Sequence, residues 1–244
     1  MRVPFSFIKP SGAAAFDPAT LALSGWWRAS YAGSPWVARA SAGGSGGNGN
    51  LTEATNPPAT GTAVNGLTPA SFNGTTQIIA NANALTTFIT STAWSIALLI
   101  KPTATAVARS VGAGYNDPAI ISETTQGYWY LTYTTSGVTI GHYDPTAGVW
   151  KEANQACSSG SWHLVQAWFD ATNISISVDS VAATNVASTD QGVAGVGPLT
   201  LGKAFAAAYY AGDVADVMVA TTNLGATARG NIKSYVNSRY ALAL

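Results

Sequence analysis

Charge and cysteine are scarce in this sequence. Only 9% of its 244 residues are charged, 11 basic against 11 acidic. With no basic stripe it lacks the surface that releases counterions from a polyanion, so no nucleic-acid partner is expected. The one cysteine, Cys157, can form neither an internal disulfide nor a thiolate metal cluster. Histidines are few, His142 and His163, and no G-x-S-x-G elbow occurs, which argues against a hydrolytic triad. His163, between Trp162 and Leu164 in an apolar run, reads as a structural histidine satisfied by a backbone or carboxylate partner. Apolar runs such as Ile96–Ile100 have the length of a strand, so membrane insertion is not expected. No signal-peptide h-region follows Met1–Gly12, where Pro4 and Pro10 interrupt the apolar residues. That start reads as an N-terminal arm, residues 1–19, on a chain made in a cytoplasm.

Hydroxyls and glycine stand where charge is missing: 28 Thr, 22 Ser and 25 Gly, with no Asp, Glu, Lys or Arg between Ala54 and Ile100. A surface of this kind loses little on desolvation and repels its neighbours weakly, which suits a packed assembly or homo-oligomer. Compositional drift in an Ala-, Gly- and Thr-rich genome explains the same counts. The hydrophobic fraction, 47%, excludes disorder.

Strand signals dominate after residue 70. Trp94, Ile96, Leu98 and Ile100 alternate onto one face and stop at Lys101-Pro102. Trp129–Thr134 and Val138–His142 flank Ser136-Gly137, a hairpin signal. Trp162–Phe169 and Ile174–Val178 flank a compact turn at Asp170–Asn173, and Leu199–Leu201 and Asp213–Val219 complete the series. Short strands with frequent turn signals predict an all-β, two-sheet antiparallel sandwich. One helix is predicted over residues 226–241, where Ile232, Tyr235, Val236 and Tyr240 repeat at helical spacing after Gly225 or Asn223. The glycine-rich stretch 41–50 reads as a flexible loop inside a single domain, residues 20–244.

Several of these segments, taken in order, resemble the concanavalin A-like lectin/glucanase superfamily in its laminin-G-like jelly-roll branch, as found in tailed-phage virion proteins. The resemblance runs through Leu23–Ser30 (LSGWWRAS), Val64–Gly74, Trp94–Lys101, Gly160–Asp170 (GSWHLVQAWFD) and Ile174–Asp179. It closes on Gly212–Val219 leading into Ile232–Tyr240. Where the family has a D-G turn this chain has Asp179-Ser180. The resemblance implies a jelly-roll sandwich and a choice among hydrolase, lectin, adhesion module and virion component.

A retaining glucanase on such a fold needs two carboxylates about 5 Å apart. The E-x-D-x-x-E string that supplies them is missing, and alternation puts Asp213 and Asp216 on opposite faces. No catalytic residue is therefore expected. An edge loop at Asn116 and Asp117, stiffened by Pro118, could offer oxygen ligands to calcium, although Asn-Asp-Pro also forms turns for backbone reasons alone. Glycan binding would use aromatics at strand ends. Tyr209 and Tyr210 look most exposed; Tyr143 and Trp150 join them as candidates, with Tyr115, Tyr128 and Trp129 also near strand ends. Core packing competes for all of these rings. The leading expectation is a non-catalytic virion protein, a capsid decoration or small tail component that adheres to other virion proteins. The alternative is a lectin-like module for host-surface glycan.

Overall fold

The computed structural model describes residues 16–39, 49–52, 56–84, 88–89, 92–105, 107–123, 125, 128–189, 197–206 and 208–244. Most of the expected arm and most of the 41–50 loop lie outside the described residues. Two antiparallel sheets stack face to face. The larger contains β1 (Gly25–Arg28), β2 (Ala59–Thr60), β3 (Ala70–Asn73), β5 (Trp94–Pro102), β10 (His163–Phe169), β11 (Asn173–Val178), β12 (Thr184–Ala187) and β14 (Ala211–Ala220). Its order is β12-β11-β10-β5-β14-β3-β2, with β1 also paired to β14. The smaller contains β4 (Ile79–Ala84), β6 (Ala119–Glu123), β7 (Trp129–Thr134), β8 (Gly137–Asp144), β9 (Val149–Gln155) and β13 (Pro198–Leu201), in the order β4-β13-β6-β7-β8-β9. This is the jelly-roll sandwich expected from the strand pattern.

Alternation explains the core. Trp94, Ile96, Leu98 and Ile100 of β5 point between the sheets and meet Trp129, Leu131, Val138 and Ile140 from the smaller one. Trp94 and Trp129 touch edge to face, with ring centroids 5.5 Å apart. Each such buried side chain is worth roughly 1.5–3 kcal/mol, so this layer dominates the stability. The turns follow local chemistry. Asp170 Oδ1 accepts from the Thr172 and Asn173 N–H groups at 3.0 and 2.7 Å, which closes the turn between β10 and β11. Asp179 takes the left-handed conformation, φ 55°, in the turn after β11.

The far face of the larger sheet is covered as well. Helix α1 (Ala226–Tyr240) begins at Gly225 and ends at Ala241, a left-handed C-cap with φ 52°. Its Ile232, Val236 and Tyr240 lie against Trp26, Leu99, Leu164 and Met218. Strand β5 is thus apolar on both sides, with Ala97 and Leu99 facing the helix side. The far face of the smaller sheet carries no such helix among the described residues.

Candidate functional site

Period-two alternation places Trp129, Leu131 and Tyr133 of β7 in the core, so Tyr128 and Tyr130 face outward. The same parity turns Tyr143 out of β8, because His142 before it is buried against Phe169 in the interior. On β9, Trp150 stands directly opposite Tyr143 in the register, and Glu152 opposite Gly141. Trp150 becomes the hub of a ring cluster. Its centroid lies 5.0 Å from Tyr115, 5.4 Å from Tyr130, 5.5 Å from Tyr143 and 6.4 Å from Tyr128. Tyr128 and Tyr143 stack at 5.4 Å with 22° between their planes, and Phe205 meets Tyr115 edge-on at 6.2 Å. Tyr130 is the buried floor; Phe205 and Tyr128 are the exposed rim, at 44% and 36% accessibility.

One carboxylate fixes this cluster. Glu152 Oε2 receives Arg109 Nη2 at 2.8 Å and the Gly112 N–H at 2.9 Å, while Oε1 receives the Gly114 N–H at 3.2 Å and the Tyr130 hydroxyl. The segment 109–114 is thereby pinned to β9, and Tyr115 follows it onto Trp150. Burial first, then the Glu152 charge, pushes the Tyr130 hydroxyl pKa far up, so it stays a donor at any working pH. Two glycines make room for that floor. A Cβ at Gly141 or at Gly114 would run into the Tyr130 ring, so each position admits no other residue without displacing it.

The expected site residues separate. Tyr143 and Trp150 come together, with Tyr115 and Tyr128 beside them. Tyr210 does not join them: it is fully buried, packed on Phe72 at 6.1 Å with its hydroxyl aimed at the Asp213 carbonyl at 3.4 Å. Tyr209 lies elsewhere, half-buried on a small cleft of about 130 Å³ lined by Thr103, Val107 and Tyr133. The Ala-rich flanks give the pair the look of a loop tip, whereas the strand that follows draws Tyr210 inward. Trp129 is core.

Asp117 also departs from the sequence reading. It is buried, and its two oxygens take the Ser110 N–H at 3.2 and 2.9 Å, an internal turn clamp that Asn116, exposed on the neighbouring turn, does not share. That donor set does not fit calcium, and among the described residues no three His, Cys, Asp or Glu gather as metal ligands. Alternation fails at Asp213 and Asp216. A bulge in β14 pairs Val214 with Ile100 and Asp216 with Leu99, so Asp213 and Asp216 share the helix-side face. Asp216 is sealed there, accepting from Trp26 Nε1 at 3.1 Å and the Tyr240 hydroxyl at 2.8 Å. Burial raises its pKa to about 7.

Both histidines meet a serine and an aspartate. His142 Nε2 lies 2.8 Å from Ser188 Oγ, which donates to Asp144 Oδ2 at 3.1 Å, all three buried. His163 bridges Ser158 Oγ at 2.9 Å and Asp179 Oδ2 at 2.7 Å, the order of a hydrolytic relay. Asp179 Oδ1 meanwhile takes the Leu164 N–H at 2.8 Å, so the carboxylate staples the end of β10 to the turn after β11. Ser158 is exposed, and the nearby Gly160 N–H, a natural oxyanion donor, is committed to the Pro102 carbonyl at 2.8 Å.

The sequence matches no protein-family model and no curated protein. Solved structures match it in shape. Domain 4 of AbnA, a GH43 extracellular arabinanase from Geobacillus stearothermophilus solved with arabinotriose, gives a TM-score of 0.52 at 12% identity, covering 79% of this chain and 82% of that one. A Trypanosoma rangeli sialidase gives 0.62 at 11% identity over 96% of this chain and 36% of its own. The binding domain of Paraclostridial Mosquitocidal Protein 1 gives 0.54 at 9% identity over 79% of this chain and 50% of that one. What they share with this chain is the two-sheet antiparallel jelly-roll sandwich. At such identities the likeness is one of fold, and what the chain does must be argued from its own side chains.

Proposed function

We propose that this chain is a non-catalytic, lectin-like module that binds a neutral glycan on the open face of its smaller sheet. The observation that carries the reading is the ring cluster centred on Trp150. Five tyrosine, tryptophan and phenylalanine rings at the rim of a sheet face that no described α-helix covers, over a buried tyrosine floor, give an apolar shelf with hydroxyl edges. That chemistry matches a sugar ring, which has an apolar C–H face and hydroxyls around it. Charge beneath the shelf is neutralised, because Glu152 is paired with Arg109 and hydrogen-bonded to its neighbours. A neutral ligand therefore fits better than an acidic one. The arabinotriose complex of AbnA domain 4, which shares the fold, accords with this use of the sandwich.

A glycan array probed with the full chain, followed by calorimetry on the best neutral oligosaccharide, tests the reading. Trp150→Ala is expected to lower affinity at least tenfold, about 1.4 kcal/mol, while Tyr209→Ala, off the shelf, leaves it unchanged. Absence of binding to any glycan, or a Trp150→Ala variant that binds as wild type, overturns it. The non-catalytic part has its own test at Ser158. A serine-reactive fluorophosphonate is expected to leave it unlabelled; an adduct that His163→Ala abolishes would make the chain a hydrolase.

A second reading, adhesion within a phage particle, rests on the surface. Twenty-two charged side chains share 10401 Å² of accessible area, so close packing against other virion proteins or copies of itself meets little charge desolvation. Mass spectrometry of purified particles decides it: the chain present at fixed copy number supports the reading, and its absence removes it. No helix among the described residues is long and apolar enough to cross a membrane.

A further inference from the structure

On the side of the sandwich away from the aromatic shelf, a cavity of about 600 Å³ opens between α1 and the end of β1. Arg28, Arg239, Tyr235, Ser234, Ser238 and Asp17 line it. A second cleft, about 470 Å³, shares Arg28 and adds Arg39. Three of the chain's six arginines thus converge on one place in a protein with little charge to distribute. We propose that this cavity binds a compact oxyanion, a carboxylate or phosphate group held between Arg28 and Arg239 with Arg39 behind.

None of the three guanidiniums forms an ion pair with a carboxylate among the described residues. Among the described residues the ion pairs are Arg109–Glu152 and His163–Asp179, neither of them here. The nearest acids do not neutralise the site. Asp17 is exposed and uses Oδ1 to cap the short turn after it, on the Ala19 N–H at 3.0 Å. Asp216 lies beneath, its oxygens held by Trp26 and Tyr240. Burial first and then the charge of Arg28 lower the Arg39 pKa, with Arg239 adding to it and Asp17 offsetting part; Arg239, lowered by burial, is held up overall by Tyr240, Tyr235 and Asp216. One polar atom at the cavity wall, Arg239 Nε, is shielded from solvent without a hydrogen-bond partner among the described residues, and the Tyr235 hydroxyl lies against Arg28.

The donors are already in place. Arg28 and Arg39 sit over the Trp26 ring, 5.4 and 5.5 Å from its centroid. Arg239 lies over Tyr240 at 5.5 Å and reaches the Ala29 carbonyl at 3.5 Å. Stacked guanidiniums lose little freedom on binding, and their planar forks match carboxylate and phosphate oxygens two at a time. Ser238, exposed on the helix, adds a hydroxyl donor on the solvent side, whereas the Ser234 hydroxyl donates to the Gly230 carbonyl at 3.1 Å. Asp17 in the lining and the C-terminal end of α1 both disfavour an anion, and paired charge-assisted bonds from the guanidinium forks outweigh them.

Calorimetry and thermal melting of the full chain test the site, with inorganic phosphate and citrate as probes and sodium chloride at matched ionic strength as control. Saturable binding and a raised Tm with phosphate alone mark a phosphoryl ligand; with citrate alone, a carboxylate; with both, a general oxyanion site. Arg28→Gln and Arg239→Gln should each weaken the response at least tenfold. Should either variant fold poorly, Ser238→Asp, at an exposed helix position, places a carboxylate at the cavity. It should raise Tm without any probe and abolish the phosphate and citrate responses. The proposal falls if neither probe binds, if chloride reproduces the shift, or if Ser238→Asp lowers Tm and keeps the response.

Discussion

The two outward faces of this sandwich are built from similar residues and do opposite things. On the larger sheet, Trp26, Leu99, Leu164 and Met218 are roofed by α1, and Trp26 and Tyr240 are sealed with their polar atoms bonded to Asp216. On the smaller sheet, Trp150, Tyr128, Tyr143 and Tyr115 form a ring cluster with no α-helix over it among the described residues. The difference lies in what the neighbouring strands contribute. The covered face is aliphatic between its aromatics, which makes a dry surface for a helix to dock on. The smaller sheet has Gly141, Thr132, Thr139 and Asn154 between its rings, too little aliphatic bulk to hold a helix; the first three are buried, with the 109–114 segment pinned nearby through Glu152, and only the rim rings reach solvent. One face is therefore sealed by a helix, and the other leaves Tyr128 and Phe205 in solvent, where the proposed glycan would bind.

The comparison breaks most directly at the helix. Ile232→Ala removes three carbons from a fully packed site between α1 and the sheet, and a loss of about 2–5 kcal/mol is expected in urea unfolding. An equal loss from any substitution on the open rim would erase the distinction between the faces.

Acidity sharpens it next. Asp216 lies under the helix with a folded pKa raised by burial to about 7, against an ordinary value of 3.8. The native state therefore holds its proton more tightly than the unfolded chain. Its contribution to stability is complete below about pH 4, drains away as pH rises towards 7, and changes no further above that. Asp216→Asn should leave stability near wild type at pH 4.5 and raise it by a few kcal/mol at pH 8, since each tenfold change in proton affinity is worth about 1.4 kcal/mol. The amide can still accept from Trp26 Nε1 and donate to the Tyr240 hydroxyl, whose own proton can turn to the Ala215 carbonyl, now 3.4 Å away. A variant with an unchanged pH slope would show that the carboxylate is ionised throughout.

The covered face is more legible in the sequence than the open one. In β5, Trp94, Ile96, Leu98 and Ile100 alternate, and the apolar Ala97 and Leu99 between them already betray a second dry surface. The helix shows in its spacing for the same reason: burial forces a period. Strand β9 has no such constraint. It is an edge strand whose Val149–Gln155 run (VWKEANQ) alternates in nothing, so its pattern puts Trp150 near a strand end but not opposite Tyr143. The Tyr130–Gly141 fit and the reach of Glu152 to Gly112 are contacts between separate strands and loops, which a linear pattern does not encode. For Asp216 one inserted residue defeats simple alternation, since a bulge reverses every face assignment beyond it.

Glu152 separates rigidity from binding on the open side. Glu152→Gln replaces one acceptor oxygen by an N–H₂ that must face Arg109 and the Gly112 and Gly114 N–H groups, all of them donors. An unmet buried donor costs about 1–3 kcal/mol, and here the cost falls on the 109–114 segment. Hydrogen exchange should quicken in that segment while β5 and β10 stay protected. Glycan affinity should drop as Tyr115 loses its support against Trp150.

The smallest effect on stability belongs to the rim. Tyr128→Ala removes a ring that is 36% exposed and stacked on Tyr143, leaving the Tyr130 floor and the Glu152 bonds in place. Water can fill the space the ring leaves, so no sealed cavity forms and the change in unfolding free energy should stay within about 1 kcal/mol. The binding surface loses one wall of the shelf, and affinity for the array-selected oligosaccharide should fall severalfold. Little change in stability with a clear loss of affinity is what an open face must give. A variant whose stability falls while its affinity holds would mean that these rings pack the fold, as their counterparts under the helix do.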